Sequence, residues 1–535
     1  MSADEPRRPR RIVRNTAIFS IATGFSRVVG LIREVFFSAY FGARIEASAF
    51  TVAFAVPNLL RSLVADAALS AAFVPVFTEL LEKGRRRDAF SLAGALFGLI
   101  LTVLGLLTVV CFLLAPFVVP LFTGDKFSAE DDALTVGLTQ VMFPIVVLLG
   151  LNGLVVGVLN AYDHFAVPAI APLVWNVVII ASLVGLRGLF DGPEQVYAYA
   201  IGILAGTAVQ FAMALPVLRR IGFPLRISFR WRDPRIRQVL VLMLPVTIGL
   251  GLINFNLFIN SILGTRVSEA APRAIDAAFR IYMLPQGMFS VALATVLFPQ
   301  LSRLAARRDF GGLRDWSGNG VRQIALLLIP CAAATAVLAE PLTRLVYERG
   351  KFGPADTDAV AEALFWFSFS LPFAGMNLML TRTFFSLQRP WTPTRLAAVT
   401  LLINVVVALL LYRPLGIAGI VIGTAVASAA MTIGQAAALR RELGGFQIGR
   451  TLRALAQMTL AALLFAAAAY GTWRMLDAAL GRSLAGQAVA VTAALTAGSL
   501  LYAGAVLLAR VPEAEWLVDL VGRRRRGGGV APGAT

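Results

Sequence analysis

Long apolar runs alternate with short polar stretches along the whole chain. Each run is about 20 residues or longer, which is enough for an α-helix to cross the hydrocarbon core of a bilayer. The pattern therefore predicts an all-α integral membrane protein of about fourteen transmembrane helices. The runs cover residues 15–41, 46–81, 89–121, 134–160, 166–188, 195–218, 237–264, 272–305, 317–346, 358–386, 393–412, 416–440, 451–476 and 484–510.

Composition indicates the same class. Of the 535 residues, 58% are hydrophobic and 15% are charged, whereas a soluble domain carries about 25% charged residues. A soluble core could not bury so much apolar surface, but a bilayer accommodates it. The net charge of +18 is no sign of nucleic-acid binding, because no soluble segment is long enough to build a nucleic-acid reader.

The basic residues are concentrated in alternate loops. Clusters of Lys and Arg lie at residues 83–87, 219–237, 303–314, 440–453 and 523–526. The positive-inside rule then predicts that these loops and both termini face the cytoplasm, which requires an even number of helices. The first run is too long for a signal peptide and contains Arg27, so we expect it to be retained as the first membrane helix.

An internal repeat covers the first twelve helices. Three pairs of residues in similar contexts share an interval of about 225: Lys126 and Lys351, Asn152 and Asn377, and Pro168 and Pro393. Parallel repeats of this kind predict two six-helix lobes related by a pseudo-two-fold axis along the membrane normal, with a substrate path between them.

The repeat divides the chain into four predicted parts. The N-lobe covers residues 1–233 with helices one to six, and the C-lobe covers residues 234–442 with helices seven to twelve. Helices thirteen and fourteen, in residues 443–510, lie outside the repeat. Residues 511–535 are basic and Gly-rich, and we expect them to form a cytoplasmic tail.

Four arginines fall inside the apolar runs: Arg27, Arg33, Arg61 and Arg280. A cation within a bilayer is costly and usually faces a partner or a wet cavity. The planar guanidinium group matches phosphate oxygens, so the arginines predict an anion-binding cavity for a phosphate-bearing substrate. Asn58 lies one turn before Arg61 on the same helix face.

Two other interpretations of these arginines stay open. They could pair with nearby acids, for which Glu34, Asp66 and Asp276 are available. They could also extend their charged ends to the membrane surface. Because four arginines outnumber three acids, we favour the anion-binding cavity.

Signatures of catalysis, metal binding and cofactor binding are missing. Gly350 and Lys351 lack the spacing of a P-loop. The single histidine, His164, and the two cysteines, Cys111 and Cys331, do not form a cluster that predicts zinc. We therefore predict no catalytic residue, no metal ligand and no cofactor, and a protein that is not an enzyme.

Two motifs resemble those of a known family. Residues 25–34 (FSRVVGLIRE) and 53–61 (AFAVPNLLR), followed by AFVP at 72–75, are similar to the MurJ (MviN) lipid II flippases. This family belongs to the multidrug/oligosaccharidyl-lipid/polysaccharide exporter superfamily. The resemblance implies a fourteen-helix, two-lobed flippase of the bacterial cytoplasmic (inner) membrane that works in peptidoglycan, cell-wall and cell-shape biosynthesis.

The resemblance also implies a substrate. Lipid II, the undecaprenyl-pyrophosphate-linked peptidoglycan precursor, would move from the cytoplasmic to the outer leaflet by alternating access. Helices thirteen and fourteen would form a groove for its long tail. Besides lipid II, membrane lipids and other cell-wall synthesis proteins are the implied partners.

Residues of this chain match the substrate-binding positions of the family. The family's cavity arginines correspond to the four named above, and an acid lower on the second helix corresponds to Asp66. Ser48 stands where the family often has an acid. The predicted substrate-binding residues are Arg27, Arg33, Arg61, Arg280, Asn58, Asp66 and Ser26.

The energy source is not a cofactor but a gradient. Runs 237–264 and 393–412 contain no Asp or Glu, which weakens the sodium site expected in some family members. Membrane potential or another ion gradient is then the predicted energy source. A potential of 100 mV contributes a free energy of about 2.3 kcal/mol per elementary charge moved.

Three alternative functions are weighed against the flippase. A related exporter of another polyprenyl-linked saccharide would share most of these features. A drug/cation antiporter favours acids over arginine in its cavity and usually needs twelve helices. A membrane enzyme acting on polyprenyl-linked sugars needs a catalytic acid or metal cluster in large outer loops, and the loops here are short.

Overall fold

The computed structural model describes residues 7–64, 67–162, 164, 166–224, 227–229, 231 and 233–514. Within its helices, the side chains of residues 7–23, 61–64, 67–71, 245–246, 249–250 and 253 are not described.

Eighteen α-helices make up almost all of the described part of the chain, which contains no strand. They are α1 (Arg7–Phe41), α2 (Ile45–Val64), α3 (Ala67–Glu82), α4 (Arg86–Phe122), α5 (Ala129–Met142), α6 (Pro144–Ala161), α7 (Ala166–Leu186), α8 (Tyr197–Arg220), α9 (Pro234–Thr265), α10 (Ala271–Pro285), α11 (Val291–Ala306), α12 (Phe310–Val337), α13 (Ala339–Tyr347), α14 (Pro354–Ser368), α15 (Leu371–Ser386), α16 (Trp391–Glu442), α17 (Ile448–Leu480) and α18 (Leu484–Leu508). Every predicted run coincides with one of these helices or with a consecutive pair, so the all-α prediction is confirmed.

Some predicted runs are interrupted where the sequence carries a helix breaker. Gly416 has φ +57° and divides α16 into two helical halves, which correspond to the runs at 393–412 and 416–440. The run at 272–305 contains the π-helical turn Gln286–Ser290 between α10 and α11. Such turns widen the helix locally and are frequent at functional positions.

Nine helical segments of the described residues are long and apolar enough to span a bilayer by length and composition. One further pair, α14 with α15, qualifies as a single span bent by 46°. A multi-pass membrane protein is therefore confirmed, while the number fourteen stays a prediction.

Contacts divide the chain into two compact units. The first comprises the residues up to Asp276 together with Tyr347–Ala359, and the second comprises Ala277–Val346 and everything after Ala359. In the first unit, α9 packs on α2 and α3. The lobes at 1–233 and 234–442 follow from the sequence repeat, not from contacts, and they stay a prediction.

Aromatic side chains fill the first unit near the end of α1. Phe37 is 1% exposed and packs against Phe41, Phe50 and Tyr199, with ring centroids 5.1, 5.3 and 4.4 Å away. Inside a bilayer, helices gain little from hiding apolar surface and associate by close packing. This aromatic cluster therefore fixes α1 against α2 and α8.

The segment Tyr347–Ala359 also docks on α1, because the Lys351 backbone N–H donates to the Ala39 carbonyl at 2.8 Å. Gly350, with φ +62°, lies so close that a Cβ atom there would stand 2.3 Å from the same oxygen. Only glycine fits this approach without displacement.

In the second unit, α17 and α18 are fastened to α12 and α13 by buried ion pairs. The Arg322 guanidinium on α12 binds the carboxylate of Glu513, just after α18. It also donates to Gln447 Oε1 at 3.1 Å and to Thr451 Oγ1 at 3.4 Å. Arg322 is 2% exposed and Glu513 is 4% exposed.

We call the contacts of Arg322 the first polar clasp. The second clasp, formed by the contacts of Arg344, lies towards the other end of α17. Arg344 on α13 pairs with Asp477 at 3.2 Å and with Glu340 on its own helix. Its Nη1 also donates to Gln487 Oε1 on α18 at 3.4 Å. The two helices that lie outside the sequence repeat are thus held by polar groups as well as by packing.

Candidate functional site

Helix α1 carries three of the predicted site residues. Arg27 and Arg33 are six residues apart, which places them about 240° apart around the helix. In agreement with this spacing, Arg27 is exposed and forms no ion pair with any described residue, whereas Arg33 is 8% exposed. The two arginines therefore have different surroundings.

Two contacts hold the guanidinium group of Arg33. Its Nη2 donates to Glu34 Oε1 at 2.7 Å, and its Cζ lies 4.9 Å from the centre of the Trp175 ring on α7. Its Nε is buried and has no hydrogen-bond partner among the described residues. Pairing with an acid, one of the interpretations left open by the sequence, thus applies to Arg33 in this state.

Glu34 is shared between two arginines. Its Oε2 accepts from Arg273 Nη2 at 3.4 Å, while Arg273 Nη1 pairs with Asp276 at 2.9 Å. Arg273 is 1% exposed, donates to Ser38 Oγ at 2.8 Å and stacks on Phe37 at 4.7 Å. Two arginines and two carboxylates form a charge-balanced cluster, as burial of charge requires.

Arg273 was not among the predicted site residues. It lies at the start of the run 272–305, where an arginine could reach the membrane surface, and its partner Glu34 is 239 residues away in sequence. The signal that could have found it is the repeat, because an interval of 225 joins Arg273 to Ser48.

Ser48 is fully buried, and its Oγ accepts a hydrogen bond from the Arg273 backbone N–H at 3.4 Å. Ser48, for which the resemblance suggested an acid, is therefore a small hydroxyl beside an arginine. The carboxylates for that arginine come from Glu34 and Asp276 instead.

Ser26 and Asn58 are placed by amide side chains of neighbouring helices. The Ser26 carbonyl accepts from Asn176 Nδ2 at 3.4 Å, which connects α1 to α7. Asn58 Nδ2 donates to Asn254 Oδ1 at 3.1 Å, which connects α2 to α9. Both residues therefore have structural contacts, and their predicted binding of substrate stays a prediction.

The structure does not describe the side chains of two further predicted residues, and a third belongs to the second unit. Asp66 lies outside the described residues, and Arg61 lies on α2 but its side chain is not described. Arg280 is half-buried on α10 and belongs to the second unit. The convergence of Arg27, Arg33, Arg61 and Arg280 on one cavity stays a prediction.

The described site is suited to binding an anion rather than to catalysis or metal binding. No group of three or more His, Cys, Asp or Glu side chains that could hold a metal occurs among the described residues. The acids nearest Arg33 are occupied by arginines, while Arg27 lacks a carboxylate among its described neighbours. A guanidinium without a carboxylate partner offers planar N–H donors that match the oxygens of an anion.

Known sequences resemble this chain over most of its length. It matches the family model described as lipid II flippase MurJ over residues 37–484. A probable lipid II flippase MurJ of Rhizobium meliloti is 34% identical over 417 residues, which cover 76% of this chain and 77% of the relative. Lipid II flippase MurJ of Burkholderia cenocepacia is 34% identical over 393 residues, which cover 71% of this chain and 75% of the relative.

Solved structures share the fold. The lipid II flippase MurJ in an inward closed conformation superposes with a TM-score of 0.76 at 20% identity, covering 92% of this chain and 99% of that one. An inward-facing multidrug resistance MATE family transporter of the MOP superfamily gives a TM-score of 0.66 at 16% identity, covering 78% and 95%. At these identities the structures establish the architecture alone.

Proposed function

The chain belongs to the lipid II flippase MurJ family, and on that premise we propose that its function is to move lipid II from the cytoplasmic to the outer leaflet of the bacterial inner membrane. Members of this family are transporters, so the chain is a transporter and not an enzyme. The proposal covers the substrate, the membrane, the direction and the alternating-access route. It also covers both termini facing the cytoplasm, as the basic loops predict.

One observation carries the proposal for the substrate. Arg27 lies between apolar residues of helix α1. Its side chain is exposed and has no carboxylate partner among the described residues. An uncompensated cation at this depth is costly unless an anion reaches it. The pyrophosphate of lipid II is such an anion, and its oxygens match the guanidinium fork.

The remaining predicted residues complete the proposed site. Arg33 would exchange its bond to Glu34 for a substrate oxygen. Arg61 and Arg280 would supply further guanidinium groups, and Asn58 neutral hydrogen bonds. Asp66 and Ser26 stay members of the set on the strength of the family resemblance.

The lipid tail would lie on α17 and α18. Their outer faces expose leucines and other apolar side chains, among them Leu460, Leu463, Leu464, Leu500 and Leu501. Such a surface is compatible with an acyl or polyprenyl chain but offers nothing to a pyrophosphate. The proposed division is therefore a cationic site on α1 and an apolar path for the tail.

Membrane potential is the energy source that we propose, because the runs at 237–264 and 393–412 lack acids. Lipid II carries negative charge at its pyrophosphate, and a potential acts on every charge that crosses. Other cell-wall synthesis proteins stay predicted partners.

The test is a translocation assay in proteoliposomes with fluorescent lipid II and an imposed potential. We expect wild-type protein to move the lipid without chemical change, Arg27→Ala to lose at least about tenfold in rate, as expected when a charged hydrogen bond worth about 1.5 kcal/mol is lost, and Arg27→Lys to keep part of it. Arg307→Ala, at an exposed arginine in a loop, is the matched control. Full activity of Arg27→Ala would remove the basis of the anion site, and a chemically altered lipid would favour a membrane enzyme.

A further inference from the structure

The Arg33 guanidinium lies over the indole ring of Trp175, with Cζ 4.9 Å from the ring centre. A guanidinium over a tryptophan face is attracted by the ring quadrupole, and the attraction increases when water is excluded. Arg33 is 8% exposed, so little water reaches the contact. The indole thus fixes the plane of the guanidinium while leaving its edges available.

Trp175 itself is fixed by α8. Its Nε1–H donates to Thr207 Oγ1 at 3.1 Å, and Thr207 in turn donates to the Ile203 carbonyl at 2.7 Å. Gly206 gives the indole room, because a Cβ there would lie 3.0 Å from Trp175 Cδ1. The ring therefore has one position, defined by a hydrogen bond and by the close approach of two helices.

The edges of the guanidinium are not fully used. Nη2 binds Glu34, but Nε is buried without a partner among the described residues. A buried donor without an acceptor is unfavourable, and a new acceptor would relieve the cost. Moreover, Glu34 keeps Arg273 if Arg33 lets go, so the carboxylate would not be stranded.

We propose that Trp175 is a positioning residue, a platform on which Arg33 changes partner from Glu34 to an anionic oxygen of the substrate while its plane stays fixed. The inference rests on the proposed function, since it assigns the pyrophosphate as the anion. Thr207 and Gly206 hold the platform. Trp175 acts through Arg33 and does not itself bind the pyrophosphate.

The experiment is a double-mutant cycle on lipid II binding, measured with purified full-length protein in nanodiscs and fluorescent lipid II. A desolvated cation–π contact corresponds to a change in affinity of about three- to thirtyfold. We expect Trp175→Leu to weaken binding by about tenfold and Trp175→Phe to keep most of the affinity. In an Arg33→Gln background, Trp175→Leu should have almost no further effect, because the two residues act as one unit.

Two further variants separate positioning from general damage. Trp366→Leu removes a half-buried tryptophan on α14, a helix that belongs neither to the proposed site nor to the tail path, and should leave affinity unchanged. Thr207→Val deletes the indole's acceptor at nearly constant volume and should weaken binding by a smaller factor than Trp175→Leu, which keeps the test open if Trp175→Leu fails to fold.

The outcomes distinguish the inference from the proposed function. If wild-type protein binds lipid II and the effects of Trp175→Leu and Arg33→Gln are additive, the platform is disproved and the flippase stands. If Trp175→Phe loses as much affinity as Trp175→Leu, the ring face is not what matters and the platform is again disproved. If wild-type protein does not bind lipid II at all, both proposals fail together.

Discussion

Ser48 Oγ accepts a hydrogen bond from the backbone N–H of Arg273 at 3.4 Å, and the two residues stand 225 positions apart. The same interval relates Lys126 to Lys351 in the sequence repeat. Residues that are equivalent under a two-fold rotation can meet only beside the rotation axis. The predicted pseudo-two-fold axis would pass beside this contact, at the starts of α2 and α10, and it stays a prediction.

The cluster around Arg273 should be sensitive to removal of the arginine. Arg273→Gln removes the cation that pairs with both Glu34 and Asp276, and breaking a buried pair in this way costs about 3–5 kcal/mol. We expect a clearly lower thermal midpoint in detergent. Adding Asp276→Asn should recover part of the loss, because a carboxylate that has lost the Arg273 cation is then neutral. Arg307→Gln, at an exposed arginine, is the control, and an unchanged midpoint for Arg273→Gln would contradict the cluster.

Removing one partner of the Arg322–Glu513 ion pair in the second unit should also lower the stability of the protein. Glu513→Ala strands a guanidinium that is 2% exposed, at a cost of about 3–5 kcal/mol. The double variant Arg322→Met with Glu513→Met should be nearly as stable as the wild type, since apolar replacements of a buried pair are often neutral. Thermal unfolding measures both, and equal destabilisation by the single and the double variant would refute a clasp.

Gly350 and Gly353 provide a matched pair in one loop. Gly350→Ala places a Cβ 2.3 Å from the Ala39 carbonyl at φ +62°, whereas a Cβ at Gly353 meets nothing within 4 Å. Strain at a left-handed position costs about 1–3 kcal/mol, and the clash adds to it. We expect Gly350→Ala to lower the thermal midpoint and to increase protease cleavage between α13 and α14, while Gly353→Ala does neither. Similar behaviour of the two variants would argue against docking of the loop on α1.

Asp233 should give a local pH dependence outside the membrane. It caps α9, and the hydrogen bond from the Arg235 guanidinium lowers the pKa of the Asp233 carboxyl from its ordinary value of 3.8. Because the folded-state pKa is depressed, the stabilisation is present above that ordinary value and is lost as the pH falls through the folded-state pKa. Asp233→Asn keeps a capping group but removes the charge. The wild type should be the more stable at pH 7, and its advantage over the variant should shrink as the pH falls below 3.8; a difference independent of pH would contradict this origin.

The sequence was sufficient to predict the helices, including α1. It was not sufficient to predict which residues pair with the arginines of α1. Apolar runs predict helices because each run must satisfy its own backbone in a bilayer. The two runs predicted at 393–412 and 416–440 also match the two halves into which Gly416 divides α16. The pairing of Glu34 with Arg273 joins residues 239 positions apart, and no local pattern reports such a contact.

The contact of Trp175 with Arg33 could not be predicted from the sequence either. In the sequence it is one apolar residue in an apolar helix, next to an asparagine that any membrane helix could use for packing. Its relation to Arg33 depends on the rotation of α7 about its own axis, which hydropathy does not define because almost the whole helix is apolar.

The two clasps bear on which parts of the chain can exist alone. A protein shortened after Glu442 would bury Arg322 without the carboxylate of Glu513 and would remove Asp477 from Arg344. An uncompensated buried cation costs several kcal/mol, which is a large part of the whole stability of a typical domain. The final hairpin is therefore not an accessory appended to a self-sufficient transporter: evolution could lose it only together with the arginines that it neutralises.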